Sequence, residues 1–486
     1  MLEKTAHPPT SPPLPRQTVP KPQLTLFDST CIIVGIIIGA SIYESSPLIA
    51  SQVPGFGWLL GVWLLGGLFS FLGALCYAEL ATAYPASGGD YVYLSRAFGR
   101  AAGFLFAWSQ LWVVRPGSIG AMAYVFARYA NQLWPWLGQQ ASQWWPGHPQ
   151  RGESAVLMFY AVLSIVVLSG INILGVRQGK WTQNLLTTIK VLGLAAIMAV
   201  GFAVGAPQMP HAVATPAETP SLTLSGFNLA MILVLFAYGG WNEMAYVAAE
   251  VRNPRKNIVR ALILGTGAVT LIYVLVTAAF VHALGLEGSR NSQGVAAEVL
   301  GFAIGPWAAR VISLLICISA LGAINGQIFT GARIYYAMGT DHRLYAWLGR
   351  WNQRRGTPVW SLAIQAIITL ALVLAFGWLQ MTGRSSLSGF SGMVVFTAPA
   401  FWFFLVLVGV SVAELRSREP NVARPYRVPG YPVVPILFCL SSLFMLYSTL
   451  VYAIQNQSWE AIWSVALLAA GVPMCFFDPK PREENG

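Results

Sequence analysis

The sequence predicts an all-α membrane protein with twelve transmembrane helices. Of its 486 residues, 56% are hydrophobic and 10% are charged, far below the roughly 25% of charged residues in soluble domains. Long apolar stretches recur along the chain, and two of them are interrupted by small residues well inside the stretch. These observations exclude a soluble globular domain and predict a polytopic membrane protein in which two spans are broken.

The distribution of positive charge predicts the orientation of the chain. The formal net charge is +11, and most of the 29 Lys and Arg residues lie in segments that a twelve-span arrangement places on the N-terminal side. Because positive residues accumulate in cytoplasmic loops, both termini are predicted to be cytoplasmic, in a multi-pass protein of an inner, cytoplasmic cell membrane. No basic patch interleaved with aromatic residues occurs, which argues against a nucleic-acid partner.

The apolar stretches divide the chain into twelve predicted spans. Residues 1–23 are polar and rich in proline, and are predicted to form a disordered cytoplasmic tail. Asp28 or Ser29 is predicted to cap span 1, and Pro116 to kink span 3. The spans are predicted at about 28–52, 57–82, 101–131, 154–174, 183–206, 226–250, 258–285, 304–339, 358–378, 387–414, 433–453 and 459–477.

Span 6 contains the interruption around which the rest of the chain is organised. Residues 236–254 begin as apolar membrane helix, carry the pair Gly239-Gly240, and resume with Glu243. Glycine relaxes the backbone and supplies no side chain. In lipid, an unwound backbone persists only where protein or a water-filled cavity satisfies its polar groups. A broken helix at this depth is therefore a candidate binding site.

Span 1 contains a second interruption about 200 positions earlier. Residues 35–47 read GIIIGASIYESSP, with Gly39, Ala40 and Ser41 breaking the apolar run. Two broken helices at matching positions of two five-span halves indicate an inverted-repeat transporter. For either stretch alone, glycines that let helices pack closely are an equally good explanation.

Several motifs resemble those of the amino acid–polyamine–organocation permease superfamily. FAYGGWNEMAYVAAEVRNPRKNIVRAL, from residue 236, looks like its sixth helix, and YPASGGDYVYLSRAFG, from residue 84, looks like the loop after its second helix. The segments at 113–129, 322–341 and 424–435 are similar to the L-type amino acid transporter branch.

The resemblance covers nearly the whole chain from about residue 24, and it implies the fold in more detail. A LeuT-like five-plus-five inverted repeat would place helices 1–5 in residues 24–206 and helices 6–10 in residues 207–414. Residues 415–486 would hold helices 11 and 12 and a short cytoplasmic C-terminus. Alternating access and an amino acid substrate are implied with this fold.

Two departures from the family pattern concern helix 1 and the partner. Members usually read GSGIF in helix 1, whereas this chain reads GASIY at 39–43, followed by Glu44 where an apolar residue is more usual. The loop at 132–152 lacks the cysteine by which animal members of the branch join a glycoprotein. A disulfide-linked heavy chain is therefore not expected.

The two breaks predict how a zwitterion would bind. The start of a half-helix has free N–H groups and a positive dipole end, which suits a carboxylate. The end of a half-helix has free carbonyls, which suit an ammonium group. The family resemblance places substrate contacts at the same positions, with an aromatic residue of helix 6 closing over the substrate. The predicted substrate contacts are Ile37, Ile38, Ala40, Ser41, Ile42, Phe236, Ala237 and Gly239.

Three charged residues inside spans are further candidates, because charge within a membrane is costly. Glu243 lies about one turn from the break, and either carries a proton or braces helix 6 in a fixed ion pair. Glu44 either lines a solvated outer vestibule or recognises a cationic substrate. Arg115 either satisfies carbonyls freed by the kink at Pro116 or has a substrate role.

Lys190, inside span 5, is the remaining candidate. By position alone, snorkelling to the interface and a functional role are equally compatible with it. Its segment TTIKVLGL resembles helix 5 of sodium-independent members, in which a lysine ammonium occupies the place of a sodium ion between helices 1 and 8. The resemblance therefore implies transport without sodium, with Lys190 bound to carbonyls freed near Gly35 to Ile38.

Together these features predict a secondary active transporter of neutral L-amino acids that works by alternating access, either as an exchanger or linked to protons. The alternatives are a carrier of cationic amino acids or polyamines, suggested by Glu44 and Glu243, and a non-transporting membrane sensor. No catalytic constellation, metal-ligand spacing or phosphate-binding loop occurs, so no enzyme activity, cofactor or metal is expected. The predicted partners are the amino acid and the lipid bilayer.

Overall fold

A computed structural model describes residues 20–144, 149–204, 222–382, 389–455 and 458–477. The regular elements in these ranges are helices, accompanied by two isolated β-bridges. Residues 1–19 of the predicted tail, and the predicted boundary at residues 206 and 207, lie outside the described residues.

Seventeen α-helices and several shorter helical turns make up the described chain. The α-helices are α1 Leu26–Ile37, α2 Ser41–Ser51, α3 Phe56–Ala83, α4 Asp90–Phe98, α5 Arg100–Ser109, α6 Arg115–Leu133, α7 Trp136–Trp144, α8 Pro149–Leu174, α9 Val176–Ala203, α10 Leu224–Ala237, α11 Pro254–Asn291, α12 Val295–Ile304, α13 Ala308–Asp341, α14 Val359–Met381, α15 Gly389–Arg418, α16 Val433–Gln455 and α17 Trp459–Phe477.

The membrane-spanning character predicted from composition is present in these helices. Eight of them in the described chain are long and apolar enough to cross a membrane, and the pair α1 and α2, bent by 48°, would make nine. The twelve-span count and the inverted repeat remain predictions. The sequence reading did not anticipate the short helices α4, α7 and α12, which lie between or beside the long ones.

The start of α1 corrects the predicted cap of span 1. Thr25, rather than Asp28 or Ser29, is the capping residue. The amide of Asp28 donates to Thr25 Oγ1 at 3.2 Å, and the amide of Thr25 donates to Asp28 Oδ2 at 2.9 Å. Asp28 therefore occupies the third position of a capping box, in which two otherwise free amides are satisfied reciprocally.

The predicted disturbance of span 3 takes the form of a π-helical segment. Residues 110–114 form one π turn between α5 and α6, and Pro116 follows at the second residue of α6. Proline has no N–H and clashes with the preceding turn, so a widened turn just before it relieves both problems. Single π turns of this kind are frequent at functional sites.

Helix α1 and the 3₁₀ segment that follows α10 lie at the centre of the bundle. Helix α1 packs against α9, α11 and α13, and the 3₁₀ segment Trp241–Glu250 that follows α10 packs against α1, α3, α11 and α13. Every residue of that segment except Ala249 is buried. The two predicted interruptions are therefore surrounded by protein rather than by lipid, as an unwound backbone requires.

Candidate functional site

The two helix breaks lie against each other. Helix α1 ends at Ile37 and α2 begins at Ser41, while α10 ends at Ala237 and a 3₁₀ segment begins at Trp241. Gly240 has φ of 112°, a left-handed conformation that favours glycine, and a Cβ there would lie 2.6 Å from Cγ2 of Ile36. The backbone at the second break therefore touches the helix that leads into the first.

The ammonium of Lys190 binds backbone carbonyls at the first break. The side chain is fully buried, and its Nζ donates to the carbonyls of Gly35 at 2.8 Å, Ile38 at 2.9 Å and Ser319 at 2.9 Å. Gly35 and Ile38 belong to the end of α1, and Ser319 belongs to α13. An ammonium has three donors, and here all three are used, so Lys190 joins the two helices.

The Ile38 carbonyl is doubly occupied. Besides Lys190, it accepts from the hydroxyl of Ser319 at 2.8 Å. A carbonyl oxygen has two lone pairs, so both are used by protein groups. The Ile37 carbonyl accepts from the amide of Gly39 at 2.8 Å and from the phenol of Tyr273 at 3.0 Å. Most of the accepting capacity at the first break is thus taken by the protein.

Tyr273 of α11 bridges the two breaks and was missed by sequence reasoning. Its fully buried phenol lies 3.0 Å from the carbonyl of Ile37 and 3.2 Å from that of Ala237. One hydroxyl proton is therefore shared between the ends of the two interrupted helices. The sequence carries no signal for this role, because Tyr273 follows an ordinary apolar run in span 7.

The start of α2 and the end of α10 present complementary polar groups. No side chain caps α2, whose first residues after Ala40 are Ser41 and Ile42. The amides at the start of a helix have no partner within the helix, and the dipole there is positive. At the end of α10, the carbonyl of Phe236 accepts from the amide of Gly239 at 3.1 Å. This arrangement can receive an anion on one side and an ammonium on the other.

Glu243 is held in a buried ion pair. Its Oε2 accepts from Nη1 of Arg115 at 2.7 Å and from Oγ1 of Thr330 at 2.5 Å. Arg115 also donates from Nε to Oε1 of Gln110 at 3.1 Å, and its guanidinium lies 4.9 Å from the ring centre of Tyr246. The two charges predicted separately from the sequence are thus partners, joining spans 3, 6 and 8.

Glu44 and Phe236 lie at the more exposed end of the site. Glu44 forms an ion pair with Arg128 and accepts from the phenol of Tyr129 at 2.7 Å. Phe236 is 37% exposed, and its ring meets that of Phe390 edge to face at 6.5 Å. The carboxylate and the aromatic predicted from the sequence are therefore both partly exposed on this side.

The opposite side, on which Leu24 lies, is sealed; we call it the N-terminal face. Here Arg333 donates to Glu250 at 2.7 Å in a fully buried pair, and Leu24 donates its amide to the carbonyl of Glu250 at 2.8 Å. The amide of Gly88, in the loop before α4, donates to the carbonyl of Tyr246 at 3.0 Å. The site is accordingly closed on the N-terminal face.

A crevice opens beside the break in span 6. It lies between α3, α10, α15 and α16, and Gly239 borders it. A Cβ at Gly239 would have only the carbonyl of Phe236 nearby, at 3.2 Å. Most of the residues that line the crevice are aromatic or aliphatic, and three are serines. The lining residues are Phe69, Ser70, Leu235, Gly239, Trp241, Phe401, Trp402, Leu405, Phe438, Ser441 and Ser442.

Comparisons with known proteins found a matching family model and several similar chains. A family model described as amino acid permease matches residues 24–472. The chain is 29% identical over 462 residues to the b(0,+)-type amino acid transporter 1 of Homo sapiens, covering 95% of this chain and 89% of that protein.

Two further relatives are similar over comparable lengths. The serine/threonine exchanger SteT of Bacillus subtilis is 30% identical over 471 residues, which cover 96% of this chain and 98% of the exchanger. The large neutral amino acids transporter small subunit 2 of Homo sapiens is 29% identical over 462 residues, which cover 94% of this chain and 80% of the relative.

Proposed function

Because the chain belongs to the amino acid permease family of the amino acid–polyamine–organocation superfamily, we propose that it carries neutral L-amino acids by sodium-independent alternating access. It is a multi-pass membrane protein and a permease rather than an enzyme. Beyond the family membership, we propose the substrate class, the absence of sodium coupling, and the residues that bind the substrate and replace the coupling ion.

The substrate is proposed to bind as a zwitterion between the two breaks. Its carboxylate would accept from the amides of Ser41 and Ile42 beyond Ala40, since these amides begin α2 and lack helical partners. Its ammonium would donate to carbonyls at the end of α10. The Ile37 carbonyl, which accepts from Gly39 and from Tyr273, would take part only in place of the proton that Tyr273 shares with Ala237. The Ile38 carbonyl is committed to Lys190 and Ser319, so we assign it to the brace. The accepting carbonyls of α10 and its break are Phe236, Ala237 and Gly239.

One observation carries the choice of a neutral substrate. Glu243 and Glu44, the two carboxylates that sequence analysis offered to a cationic side chain, are each paired with an arginine. A carboxylate already neutralised by a partner attracts a second cation only at the expense of the first pair. Glu243 is also just 7% exposed, so a cationic side chain would have little access to its carboxylate in this state.

Two of the three relatives and the lining of the crevice support the same substrate class. One relative's name specifies serine and threonine, and another specifies large neutral amino acids. The crevice beside Gly239 is lined mostly by apolar side chains, which suit an uncharged side chain better than a charged one. Phe236, whose partly exposed ring contacts that of Phe390, is proposed to close over the bound substrate.

The surroundings of Lys190 support transport without sodium. Sodium requires several oxygen ligands, and the three carbonyls of Gly35, Ile38 and Ser319 could supply some of them. The ammonium already holds those oxygens and carries the same single charge. We propose that Lys190 replaces a coupling ion and braces α1 against α13 while the N-terminal face is closed.

The proposed orientation places the N-terminal face in the cytoplasm, because most Lys and Arg residues lie in segments of that side. The protein is proposed to work without a disulfide-linked heavy chain. Its five cysteines, all within the described residues, are free thiols in or beside membrane helices.

The proposal is tested with the purified chain alone in proteoliposomes. Vesicles preloaded with unlabelled serine, or left empty, should take up labelled serine, with neutral L-amino acids competing and lysine, arginine and putrescine not competing. Replacing sodium by choline should leave the rate unchanged.

Three outcomes would contradict separate parts of the proposal. Competition by lysine or putrescine alone would establish the cationic carrier instead. A strict need for sodium would remove the role given to Lys190. Binding without uptake in either vesicle type would favour a membrane sensor. A comparison of the uptake rates in empty and preloaded vesicles would distinguish net uptake from exchange.

A further inference from the structure

Five acidic side chains are buried in the described part of the chain, and one of them differs from the rest. Asp28 pairs with Lys180 at 3.0 Å, Glu79 with Arg416 at 2.5 Å, Glu243 with Arg115 at 2.7 Å, and Glu250 with Arg333 at 2.7 Å. Asp90 is 2% exposed, and no basic side chain of the described residues lies within ion-pair distance of it. A buried carboxylate without a cation is costly, and such a group commonly binds a proton instead.

Only one of the two carboxyl oxygens of Asp90 accepts hydrogen bonds from the described residues. Its Oδ2 accepts from the phenol of Tyr77 at 2.8 Å and from the phenol of Tyr246 at 2.7 Å. Its Oδ1 is buried and has no hydrogen-bond partner among the described residues. The neutral acid needs one oxygen to carry a proton and one to accept, so the observed contacts leave Oδ1 as the place for the proton.

The ionisable groups around Asp90 supply little net positive charge. Tyr77 faces it from α3, Tyr246 from the 3₁₀ segment, and Tyr93 from its own helix. The charged groups that act on it are Glu243 and Arg115, which form an ion pair with each other at 2.7 Å. Their effects on Asp90 oppose each other, and that of Glu243, which raises the pKa of Asp90, is the larger.

Asp90 also lies where the N-terminal face must open. It is the first residue of α4, and the loop before α4 packs backbone to backbone on the 3₁₀ segment Trp241–Glu250. The amide of Gly88 donates to the carbonyl of Tyr246, and a Cβ on Gly89 would lie 2.9 Å from the carbonyl carbon of Ala245. Movement of the segment away from this loop would break these contacts and admit water to the carboxyl.

We propose that Asp90 is a proton-binding site that is occupied while the N-terminal face is closed and emptied when that face opens. This inference rests on the proposed transport function. On opening, the O–H bond at Oδ1 breaks, the proton passes to the water admitted at the N-terminal face, and Asp90 becomes a hydrated carboxylate.

The direction of the pH effect follows from the two environments. Burial raises the pKa of Asp90 to about 7 in the closed state, although the hydrogen bonds from Tyr246 and Tyr77 oppose the rise. A hydrated aspartate has a pKa near 4. The closed state therefore holds the proton more tightly, so acid stabilises it, and opening becomes easier as the pH on that face rises through about 7.

The experiment measures exchange in proteoliposomes with equal pH on both sides, which removes any proton gradient and any effect of protein orientation. The wild-type rate should rise with pH, by at most about tenfold per unit for one released proton, with a midpoint near 7. Asp90→Asn, which cannot bind a proton, should show a rate that varies less than about twofold over the same range. Asp28→Asn removes a buried carboxylate that has a lysine partner, and should keep the wild-type midpoint.

A second variant separates titration from a structural role. Tyr77→Phe removes one hydrogen bond to the ionised form, so the midpoint should move up by about one pH unit. A residue that only holds the fold together would lower the yield and leave the midpoint in place. An unmoved midpoint in Tyr77→Phe, or the wild-type midpoint in Asp90→Asn, would overturn the proposal.

An infrared measurement on the purified protein keeps this inference testable if the proposed substrate is wrong. Wild type should show the C=O stretch of a protonated carboxylic acid at about pH 6, and Asp90→Asn should lack it. If wild type shows this C=O stretch but takes up no amino acid, the proton site is retained and the proposed function is rejected. Equal spectra from the two proteins would reject the proton site, whatever the transport result.

Discussion

The two helix breaks differ in how completely the protein satisfies them. At the end of α1, the carbonyls of Gly35 and Ile38 receive the Lys190 ammonium, and Ile38 also receives the Ser319 hydroxyl. At the end of α10, the Ala237 carbonyl receives only a shared phenol proton from Tyr273 among side chains of the described residues. The first break is bound tightly by a charge, and the second is bound weakly by a neutral group.

This difference assigns different tasks to the two breaks. A charge-assisted hydrogen bond is roughly twice as strong as a neutral one, so the Lys190 contacts hold α1 to α13 firmly. The break in span 6 keeps accepting capacity for a substrate and is free to change as the N-terminal face opens. The Arg115–Glu243 pair lies beyond that break, one turn along, and ties its far side to spans 3 and 8. We infer that the first break is an anchor and the second a moving contact.

Removing the anchor should have the largest effect. Lys190→Ala removes the hydrogen bonds of the ammonium to three buried carbonyls, of which Ile38 keeps its bond from Ser319, at roughly 1.5–3 kcal/mol for each charged hydrogen bond lost. We expect the transport rate to fall at least about tenfold, with a smaller change in substrate affinity, because the closed state loses its brace. Initial uptake rates and binding isotherms in proteoliposomes measure the two effects.

Lys180→Ala is the matched control for that loss. Lys180 lies on the same helix, is partly exposed, and pairs with Asp28 at the end of α1 away from the break. Its removal should change the rate by less than about threefold, as is usual for a partly exposed pair. Equal losses in the two variants would show that α9 needs both lysines merely to fold, and the anchor would have no special status.

Adjacent glycines test the break in span 6 with a smaller expected effect. Gly240→Ala places a side chain on a residue with positive φ, at roughly 1–2 kcal/mol, and 2.6 Å from Ile36 Cγ2. Gly239→Ala meets only the Phe236 carbonyl at 3.2 Å. We expect Gly240→Ala to lower uptake about tenfold and to lower the melting temperature of the purified protein by several degrees. We expect Gly239→Ala to lower uptake only about twofold.

The ranking of the two glycine variants is the informative result. If Gly239→Ala were the more damaging variant while its thermal stability stayed at the wild-type level, the substrate would lie closer to Gly239 than the packing of the closed state indicates. If both variants transported normally, the backbone at this break would not contact the substrate at all.

The sequence revealed the charged parts of this system and concealed the neutral ones. Glu243, Arg115 and Lys190 were identifiable because charge within an apolar span is costly and therefore conspicuous. That Arg115 and Glu243 form a pair was not visible, since 128 positions separate them and no local period connects them. The 3₁₀ geometry of residues 241–250 was also hidden, because tertiary packing rather than residue preference decides it.

Asp90 and Tyr273 were missed for opposite reasons. Asp90 follows two glycines in a turn-rich loop, where an acidic residue is ordinarily solvated, and only the fold buries it. Tyr273 lies in an apolar span, where an aromatic residue is ordinarily part of the core. The role that we propose for each depends on a contact with a distant segment, which a single sequence does not specify.

The smallest predicted effect concerns the bridge between the breaks. Tyr273→Phe removes one hydroxyl shared by the Ile37 and Ala237 carbonyls, and a neutral hydrogen bond contributes about 0.5–1.5 kcal/mol. Tyr124→Phe removes a buried hydroxyl that donates to the Val373 carbonyl at 3.0 Å, away from both breaks, and is the matched control. We expect Tyr273→Phe to raise KM about threefold with little change in kcat, because the two carbonyls lose their fixed position before substrate binds. The control should change only stability. A fall in kcat at unchanged KM would mean that the phenol guides the movement of span 6 rather than the resting position of its carbonyls.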